Sequence, residues 1–257
     1  MSLPERFSLE GETAIVTGAA QGLGKEMAGG LAELGADVAI ADLNVEKAER
    51  TAAEFDGETD VIATEVDVTD ETSVENMVEE VTDALGPIDV LVNNAGIVEN
   101  SPAEETTLDS WQRVVAVNLD GVFLCAKHVG QQMLNRDGGR IVNIASMSGI
   151  DVNVPQKQAS YNTTKAGVSM LTKSLAVEWG DRGVRVNAIA PGYMRTELVD
   201  EVLEENPEME ETWLENVPMG RLGRPEELRE LVGYLASNAS SYMTGSTVVM
   251  DGGYTSR

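Results

Sequence analysis

Cysteine and histidine are almost missing: the 257 residues hold one of each, Cys125 and His128. One cysteine excludes an intrachain disulfide and a cysteine-built zinc cluster, and one histidine excludes a His-rich metal centre. Basic residues are scarce too. Lys and Arg number 18 against 44 Asp and Glu, for a formal net charge of -26. So acidic a chain repels a phosphate backbone, which excludes a general nucleic-acid binder. No apolar run approaches ~18 residues, so no membrane span is expected. The segment Met1–Glu12 carries Glu5, Arg6, Glu10 and Glu12 without an apolar centre, so it does not read as a secretory signal. Together these absences point to a soluble, cytoplasmic protein. What is present suffices for a core: 42% of the residues are hydrophobic, and the length suits one large α/β domain or two small ones.

The acid has two readings, recruitment of a basic partner or a solvated surface suited to concentrated salt. Arginine outnumbers lysine 12 to 6, and the acids spread along much of the chain. Screening shortens from about 10 Å at ~0.1 M salt to about 3 Å at ~1 M, so such a chain repels itself in dilute buffer and relaxes in brine. High-salt adaptation, as in a halophile, is the expectation. The charge is also uneven. Asp42–Asp109 nets -18 and Glu197–Glu230 nets -9, whereas Gly138–Thr196 nets +4.

Short apolar runs alternate with amphipathic stretches. Strands are expected at Thr13–Thr17, Asp37–Ala41, Val61–Val66, Ile88–Val92, Arg140–Ala145, Val184–Ala190 and Ser246–Met250. Helices are expected from the first glycines to Leu34, then at Val45–Glu54, Glu71–Leu85 and Tyr161–Trp179. A long helix from Leu108 to Leu134 is expected to bend near Asp120–Gly121. Glu197–Glu215 reads as a helical insertion and Pro225–Ala236 as another helix. β-Branched runs between helical repeats indicate a parallel sheet. No linker-like stretch divides the chain. The fold class expected is α/β: one doubly wound Rossmann-type domain over 1–257, with a parallel sheet of about seven strands and helices on both faces.

The first strand runs into Thr17-Gly18-Ala19-Ala20-Gln21-Gly22-Leu23-Gly24, just before a helix. Glycines let the backbone turn tightly and approach a diphosphate, and the helix start offers N–H groups and a positive dipole end to that anion. Asp42 follows the second strand. A carboxylate there accepts the ribose hydroxyls of an adenosine and repels a 2′-phosphate. The loop, Leu43 and Asn44 supply no cation, and Lys25 is the nearest one to the loop, so NAD is expected rather than NADP. The alternative for Asp42 is a helix N-cap.

Tyr161 and Lys165 are four residues apart and share one face of a helix. A free phenol, with a pKa near 10, is too weak a base at neutral pH, and bringing it there needs ~4 kcal/mol. One cation at ~4 Å supplies roughly that at an effective dielectric of 20. Tyr161 is therefore a candidate general acid–base with Lys165 tuning it. A pair at this spacing is by itself also compatible with plain helix surface.

Taken together, these motifs resemble the short-chain dehydrogenase/reductase family over nearly the whole chain. The glycine loop matches T-G-x-x-x-G-x-G, Asn93-Asn94-Ala95-Gly96 matches N-N-A-G, Tyr161 and Lys165 match Y-x-x-x-K, and Pro191-Gly192 with Thr196 matches P-G-x-x-x-T. Asp67-Val68 resembles the pair against the adenine, Asn118 the helix asparagine of a proton relay, and Ser146 the substrate-binding serine. The resemblance implies hydride transfer between a secondary alcohol or ketone carbon and a nicotinamide, with no metal. It implies that Tyr161 exchanges the proton, Ser146 orients the oxygen, Lys165 holds the nicotinamide ribose and Asn118 completes the relay. Cofactor contacts are implied for Gly18, Gln21, Gly22, Leu23, Gly24, Asp42, Leu43, Asp67, Val68, Asn94, Ala95, Gly96, Tyr161, Lys165, Pro191, Gly192, Met194 and Thr196. Asn94 also reads as a clasp between strands. A homodimer or homotetramer is implied, and the turn Asp251-Gly252-Gly253-Tyr254 resembles one that aids tetramer contacts.

The stretch Asn153-Val154-Pro155-Gln156-Lys157-Gln158 before Tyr161 resembles that of polyol, ketose and sugar-acid members. Asn and Gln both donate and accept, which suits a small polyhydroxylated substrate. Ser148, Asn153, Gln156, Lys157, Gln158, Tyr193, Arg195 and Trp213 are the substrate candidates. Lys157 reads either as a partner for a carboxylate or as an exposed loop lysine, and Arg195 as a partner for a carboxylate or for the cofactor's diphosphate; residues 197–219 resemble a substrate lid. Two alternatives stand beside this reading: a 3-oxoacyl carrier-protein reductase, and a catalytically silent NAD-binding sensor. Cys125, among Phe123, Leu124 and Ala126, is expected to pack rather than react, and His128 to be structural.

Overall fold

In the computed structural model, residues 2–136, 138–206 and 208–256 are described. Met1, Asp137, Pro207 and Arg257, which the expected domain and lid limits include, lie outside the described residues. The chain opens with α1 (Leu3–Phe7), a short capped turn that its composition did not announce. Then come β1 (Thr13–Thr17), α2 (Gly22–Glu33), β2 (Asp37–Asp42), α3 (Val45–Ala52), β3 (Val61–Glu65), α4 (Glu71–Leu85) and β4 (Ile88–Asn93). The second half runs α5 (Leu108–Val115), α6 (Gly121–Leu134), β5 (Gly139–Ile144), α7 (Ala159–Trp179), β6 (Val184–Pro191), α8 (Glu197–Glu205), α9 (Glu208–Leu214), α10 (Leu228–Ala236) and β7 (Thr247–Met250).

The strands form one seven-stranded sheet in the order β3-β2-β1-β4-β5-β6-β7, every neighbouring pair parallel. Parallel strands need crossovers, and helices supply them, so both sheet faces are covered. Alternation along the strands divides the core. Val16, Val38 and Ile40 pack with Met27 and Leu31 of α2 and Val232 and Leu235 of α10. Ile15, Ala39 and Leu91 pack with Met77 and Val81 of α4 and Cys125 and Val129 of α6. The sheet order reverses direction at β1, which lies between β2 and β4, and ligand crevices form at such points beyond the strands' C-terminal ends.

Three expectations change. The bend in the long helix is a π-helical turn, Ala116–Asp120, in which the Gly121 N–H reaches back to the Ala116 carbonyl. The insertion expected as one helix is two, α8 and α9, because α8 stops at a cap on Asn206 ahead of a proline. The helix expected from Pro225 begins as a 3₁₀ turn, with α10 following at Leu228. No helix among the described residues is long and apolar enough to cross a membrane.

Candidate active site

The site grows from the C-terminal ends of β1, β4, β5 and β6. After β1 the backbone turns through Gly18 at φ 63°. A side chain on Gly18 would sit 2.8 Å from the Ala95 Cα, and one on Gly24 would lie 2.4 Å from the Gly18 carbonyl oxygen. These contacts leave room for glycine alone. Gln21 caps the start of α2 through its backbone, and Gly22, Leu23 and Gly24 form the first turn, whose N–H groups have no partner inside the helix. A Cβ on Gly22 would come within 4.0 Å of the Thr196 methyl, so the glycine loop and the segment after β6 face one another at close range.

Asn94 ties this loop to β4. Its amide nitrogen donates to the Thr17 carbonyl at 3.0 Å and the Gly18 carbonyl at 2.8 Å, while Thr17 Oγ1 accepts from the Asn94 and Ala95 N–H groups. The clasp expected as an alternative for Asn94 is therefore built. Asp42 closes β2 and accepts from Ala20 N at 3.1 Å and Asn44 N at 3.0 Å. It does not cap α3; Asn44 does, accepting from Lys47 N at 2.9 Å. Leu43 is exposed beside it. Lys25 is drawn off to Glu54, and the cation that reaches the glycine loop is Lys47, hydrogen-bonded to the Gln21 side chain. Sequence distance hid Lys47; its place in the first turn of α3, one strand over from the loop, was the available signal. Asp67 accepts from the N–H and hydroxyl of Thr69, and Val68 is buried against Gly121.

The reactive groups stand on α7 and at the end of β5. Ser146 stands close enough to the Tyr161 phenol to oppose the rise in its pKa, and its Oγ accepts the Ser148 N–H at 3.1 Å. Lys165 is 4% exposed, donates from Nζ to the Ile144 carbonyl at 2.7 Å and lies 5.6 Å from the Tyr161 ring centroid. Burial draws its pKa down to about 8. Burial also raises the Tyr161 phenol above its ordinary value, partly opposed by Ser146. The expected lowering of Tyr161 by Lys165 is thus not a property of the protein alone, because desolvation outweighs it there and the ammonium is turned to Ile144. Asn118, fully buried on the π-helical turn, accepts from Ile97 N at 2.8 Å and donates to the Ile97 carbonyl at 2.8 Å and Thr164 Oγ1 at 3.4 Å. Its amide acts as a clamp on the 97 loop, a use that the relay expectation did not include. A Cβ on Gly96 would lie 3.4 Å from Asn118 Oδ1 and 3.5 Å from Lys165 Nζ, so these three residues converge.

Past β6, Gly192 is pressed on Asp251, and Thr196 caps α8 by accepting from Val199 N at 3.3 Å. Met194, expected at the cofactor, has its side chain buried in the core against Gly223.

The substrate candidates form a wall of amides. Gln158 Nε2 lies 2.9 Å from Asn153 Oδ1, 3.0 Å from Asn162 Oδ1 and 3.3 Å from Ser148 Oγ. Asn153 in turn donates to the Tyr193 hydroxyl at 3.3 Å. With its amide oriented to satisfy both ends, Gln156 accepts the Trp213 indole N–H at 2.6 Å and donates to Tyr193 Oη at 3.2 Å and the Val154 carbonyl at 3.3 Å. Trp213 stacks on Tyr193 with ring centroids 4.3 Å apart, and burial pushes the Tyr193 phenol up to about 12. Two candidates stand outside this wall. Lys157 is exposed, and Arg195 is held by Asp200 at 2.8 Å and Glu210 at 3.1 Å. Asn162, one helical turn after Gln158, was missed; the i,i+4 spacing was the signal.

The remaining polar oddities are structural. Cys125 is buried and its thiol is pushed up to about 12, which leaves it inert. His128 bonds Glu71 at 2.9 Å and faces Glu75 at 3.7 Å, joining α6 to α4.

A doubly wound sheet, a glycine-lined crevice at its reversal point and a Ser–Tyr–Lys group beside it define a nucleotide-linked oxidoreductase. A sequence profile described as "Enoyl-(Acyl carrier protein) reductase" matches residues 18–255. The chain is 43% identical over 249 residues to galactitol 2-dehydrogenase (L-tagatose-forming) of Cereibacter sphaeroides, covering 97% of each. It is 43% identical over 260 residues to the NADP-dependent mannitol dehydrogenase of Hypocrea jecorina, covering 99% of this chain and 96% of that one. A crystal structure of a gluconate 5-dehydrogenase from Burkholderia cenocepacia, in complex with NADP and tartrate, superposes with a TM-score of 0.93 at 37% identity, covering 100% of both chains. The chain belongs to the short-chain dehydrogenase/reductase family and is an oxidoreductase acting on CH–OH groups.

Proposed function

We propose that this enzyme transfers a hydride between NAD and a secondary alcohol or ketone carbon of a sugar, polyol or sugar acid. The observation that carries the reading is Ser146 next to the Tyr161 phenol, with Lys165 one helical turn away, beside a glycine loop whose Gly18 and Gly24 leave no room for a side chain. The free N–H groups at the start of α2, beside the glycine loop, suit a dinucleotide diphosphate, and Asp42, Asp67 and Val68 are assigned to the adenosine side. The residues that hold the cofactor are Gly18, Gln21, Gly22, Leu23, Gly24, Asp42, Leu43, Asp67, Val68, Asn94, Ala95, Gly96, Pro191, Gly192 and Thr196, with Tyr161 and Lys165 at the nicotinamide ribose. When bound, the nicotinamide supplies the hydride acceptor or donor.

Tyr161 takes the proton from the substrate hydroxyl, and Ser146 holds that oxygen in line. Lys165 stabilises the phenolate once its ammonium turns from Ile144, and Asn118 fixes the loop that carries Gly96. Asp42 supports NAD, since a carboxylate at the end of β2 accepts ribose hydroxyls and repels a 2′-phosphate. Among the described residues Lys47 reaches the glycine loop through Gln21, and a relative and a solved structure are named for NADP, so the screen below is run with both cofactors. The enzyme works in the cytoplasm as a homodimer or homotetramer. Apolar side chains exposed along α6 and α7, Phe123, Met170 and Val177, support self-association.

The test is reduction of NAD and NADP in a screen of polyols, sugar acids and acetoacetyl thioesters, repeated with Tyr161→Phe. Turnover of a polyol or sugar acid with NAD, lost by ~10²-fold or more in Tyr161→Phe while NAD still binds, is expected. Unchanged turnover in that variant refutes the assignment.

A further inference from the structure

We propose that the site takes neutral polyhydroxylated substrates and discriminates against sugar acids. The inference rests on the dehydrogenase reading above and narrows its substrate.

The first support is the state of the cations. Arg195, the arginine nearest the lid, gives its Nε to Asp200 at 2.8 Å and its Nη1 to Glu210 at 3.1 Å. A substrate carboxylate would have to displace two carboxylates of the protein to reach it. Lys157 makes no ion pair among the described residues, but it is exposed on the loop and is not in the amide wall.

The second is the charge of the lid. Residues 197–215 contain nine acids and no base. Trp213 seats this segment on Tyr193 and Gln156, so the acids ride on the element that covers the wall. A field of one sign around a cleft changes the local concentration of a charged solute by ~10 to 10³. Here it depletes anions and leaves neutral polyols alone.

The third is the atom that the wall presents. The Gln158 NH₂ group is committed to Asn153, Asn162 and Ser148. Turned over, its oxygen would face the amide oxygens of Asn153 and Asn162, so the orientation is fixed. Its carbonyl oxygen takes no hydrogen bond from the described residues and is not one of the fully buried, unpartnered atoms, so a little of its surface is open. The backbone beneath is pinned as well, by Ser101 N on the Lys157 carbonyl at 2.7 Å. A rigid carbonyl oxygen accepts a hydroxyl proton, and it repels a carboxylate, which has only acceptors.

The experiment compares kcat/KM for galactitol, mannitol and gluconate with NAD at ~0.1 M and ~1 M KCl, where the screening length falls from about 10 to about 3 Å. The wild type is measured beside a triple variant, E204Q, E208Q and E211Q, at exposed lid positions. The better neutral polyol is expected to exceed gluconate roughly tenfold or more at low salt, and the ratio is expected to narrow at high salt and in the triple variant. Parity at low salt overturns the inference, as does a ratio indifferent to both salt and the substitutions. NAD reduction with none of the three compounds, or with acetoacetyl thioesters alone, overturns the dehydrogenase reading together with it.

Discussion

The cofactor cradle and the substrate wall both sit at the C-terminal ends of the strands, yet they are made of different material. The cradle is backbone: Gly18 and Gly24 are pressed to 2.8 and 2.4 Å of main-chain atoms at the place where a Cβ would stand. The wall is side chain: Gln158, Asn153, Tyr193, Gln156 and Trp213 hold one another by hydrogen bonds and a stacked ring pair. A backbone cradle fits any dinucleotide of the right shape and tolerates no substitution. A side-chain wall can be rewritten one residue at a time, and specificity then changes without the fold.

Four substitutions probe that contrast. Gly24→Ala is expected to do the most damage, because its Cβ collides with the Gly18 carbonyl. Destabilisation of about 2 kcal/mol or more and loss of dinucleotide binding are expected, read by thermal melts and a fluorescence titration. A variant that still binds NAD normally would break the claim that the cradle admits only glycine.

Lys165→Met is next. Turnover is expected to fall ~10²-fold or more while the folded protein gains stability, since a buried ammonium is removed. Lys165 sits at about 8 in the fold against an ordinary 10.5, so its charged form costs about 3 kcal/mol of stability. That cost is fully present below pH 8 and fades as pH rises toward 10.5. Chemical denaturation of the wild type should therefore show stability climbing across that window relative to Lys165→Met. A variant less stable than wild type at pH 7 would contradict the assignment.

Asn153→Ala strips a partner from Gln158 and Tyr193. A loss of roughly 10-fold to 100-fold in kcat/KM is expected, from about 1–3 kcal/mol for the stranded groups, with the Kd for NAD unmoved. An equal loss of cofactor affinity would erase the division between cradle and wall. Trp213→Phe keeps an aromatic ring against Tyr193 and loses the indole N–H to Gln156 together with part of the apolar packing on Leu203 and Leu222. A severalfold change in kcat/KM is expected, in line with about 1 kcal/mol for one hydrogen bond. Steady-state kinetics on the best substrate decides it.

The same contrast explains what the sequence could reveal. Alternating apolar runs and helical repeats announce the sheet, and the glycine loop announces the cradle, because both follow from spacing along one segment. Tyr161 and Lys165 share a helix face for the same reason. The wall was only half legible. Asn153, Gln156 and Gln158 lie together in sequence, but their partners Tyr193 and Trp213 arrive from after β6 and from α9, and no local pattern fixes those meetings. Arg195 looked available to a ligand, and tertiary structure commits it to Asp200 and Glu210. Lys47 was overlooked because its approach to Gln21 depends on β1 and β2 being neighbours in the sheet. Burial of the Tyr161 phenol, which raises its pKa in the protein alone, cannot be read from residue spacing.

The π-helical turn at Ala116–Asp120 carries a consequence for how this chain tolerates length changes. An i→i+5 turn accommodates one residue more than the α-helix around it. A single-residue deletion within 116–120 would remove that extra residue and let a regular helix run on from α5 into α6, with the two flanking halves close to their present phase. Asn118 would then leave Ile97 and Thr164, while the apolar seam of α6 kept its phase against α4. The helix would survive such a deletion and the loop bearing Gly96 would lose its anchor. One frame-preserving codon loss in an otherwise forgiving helix would silence the enzyme and leave it folded.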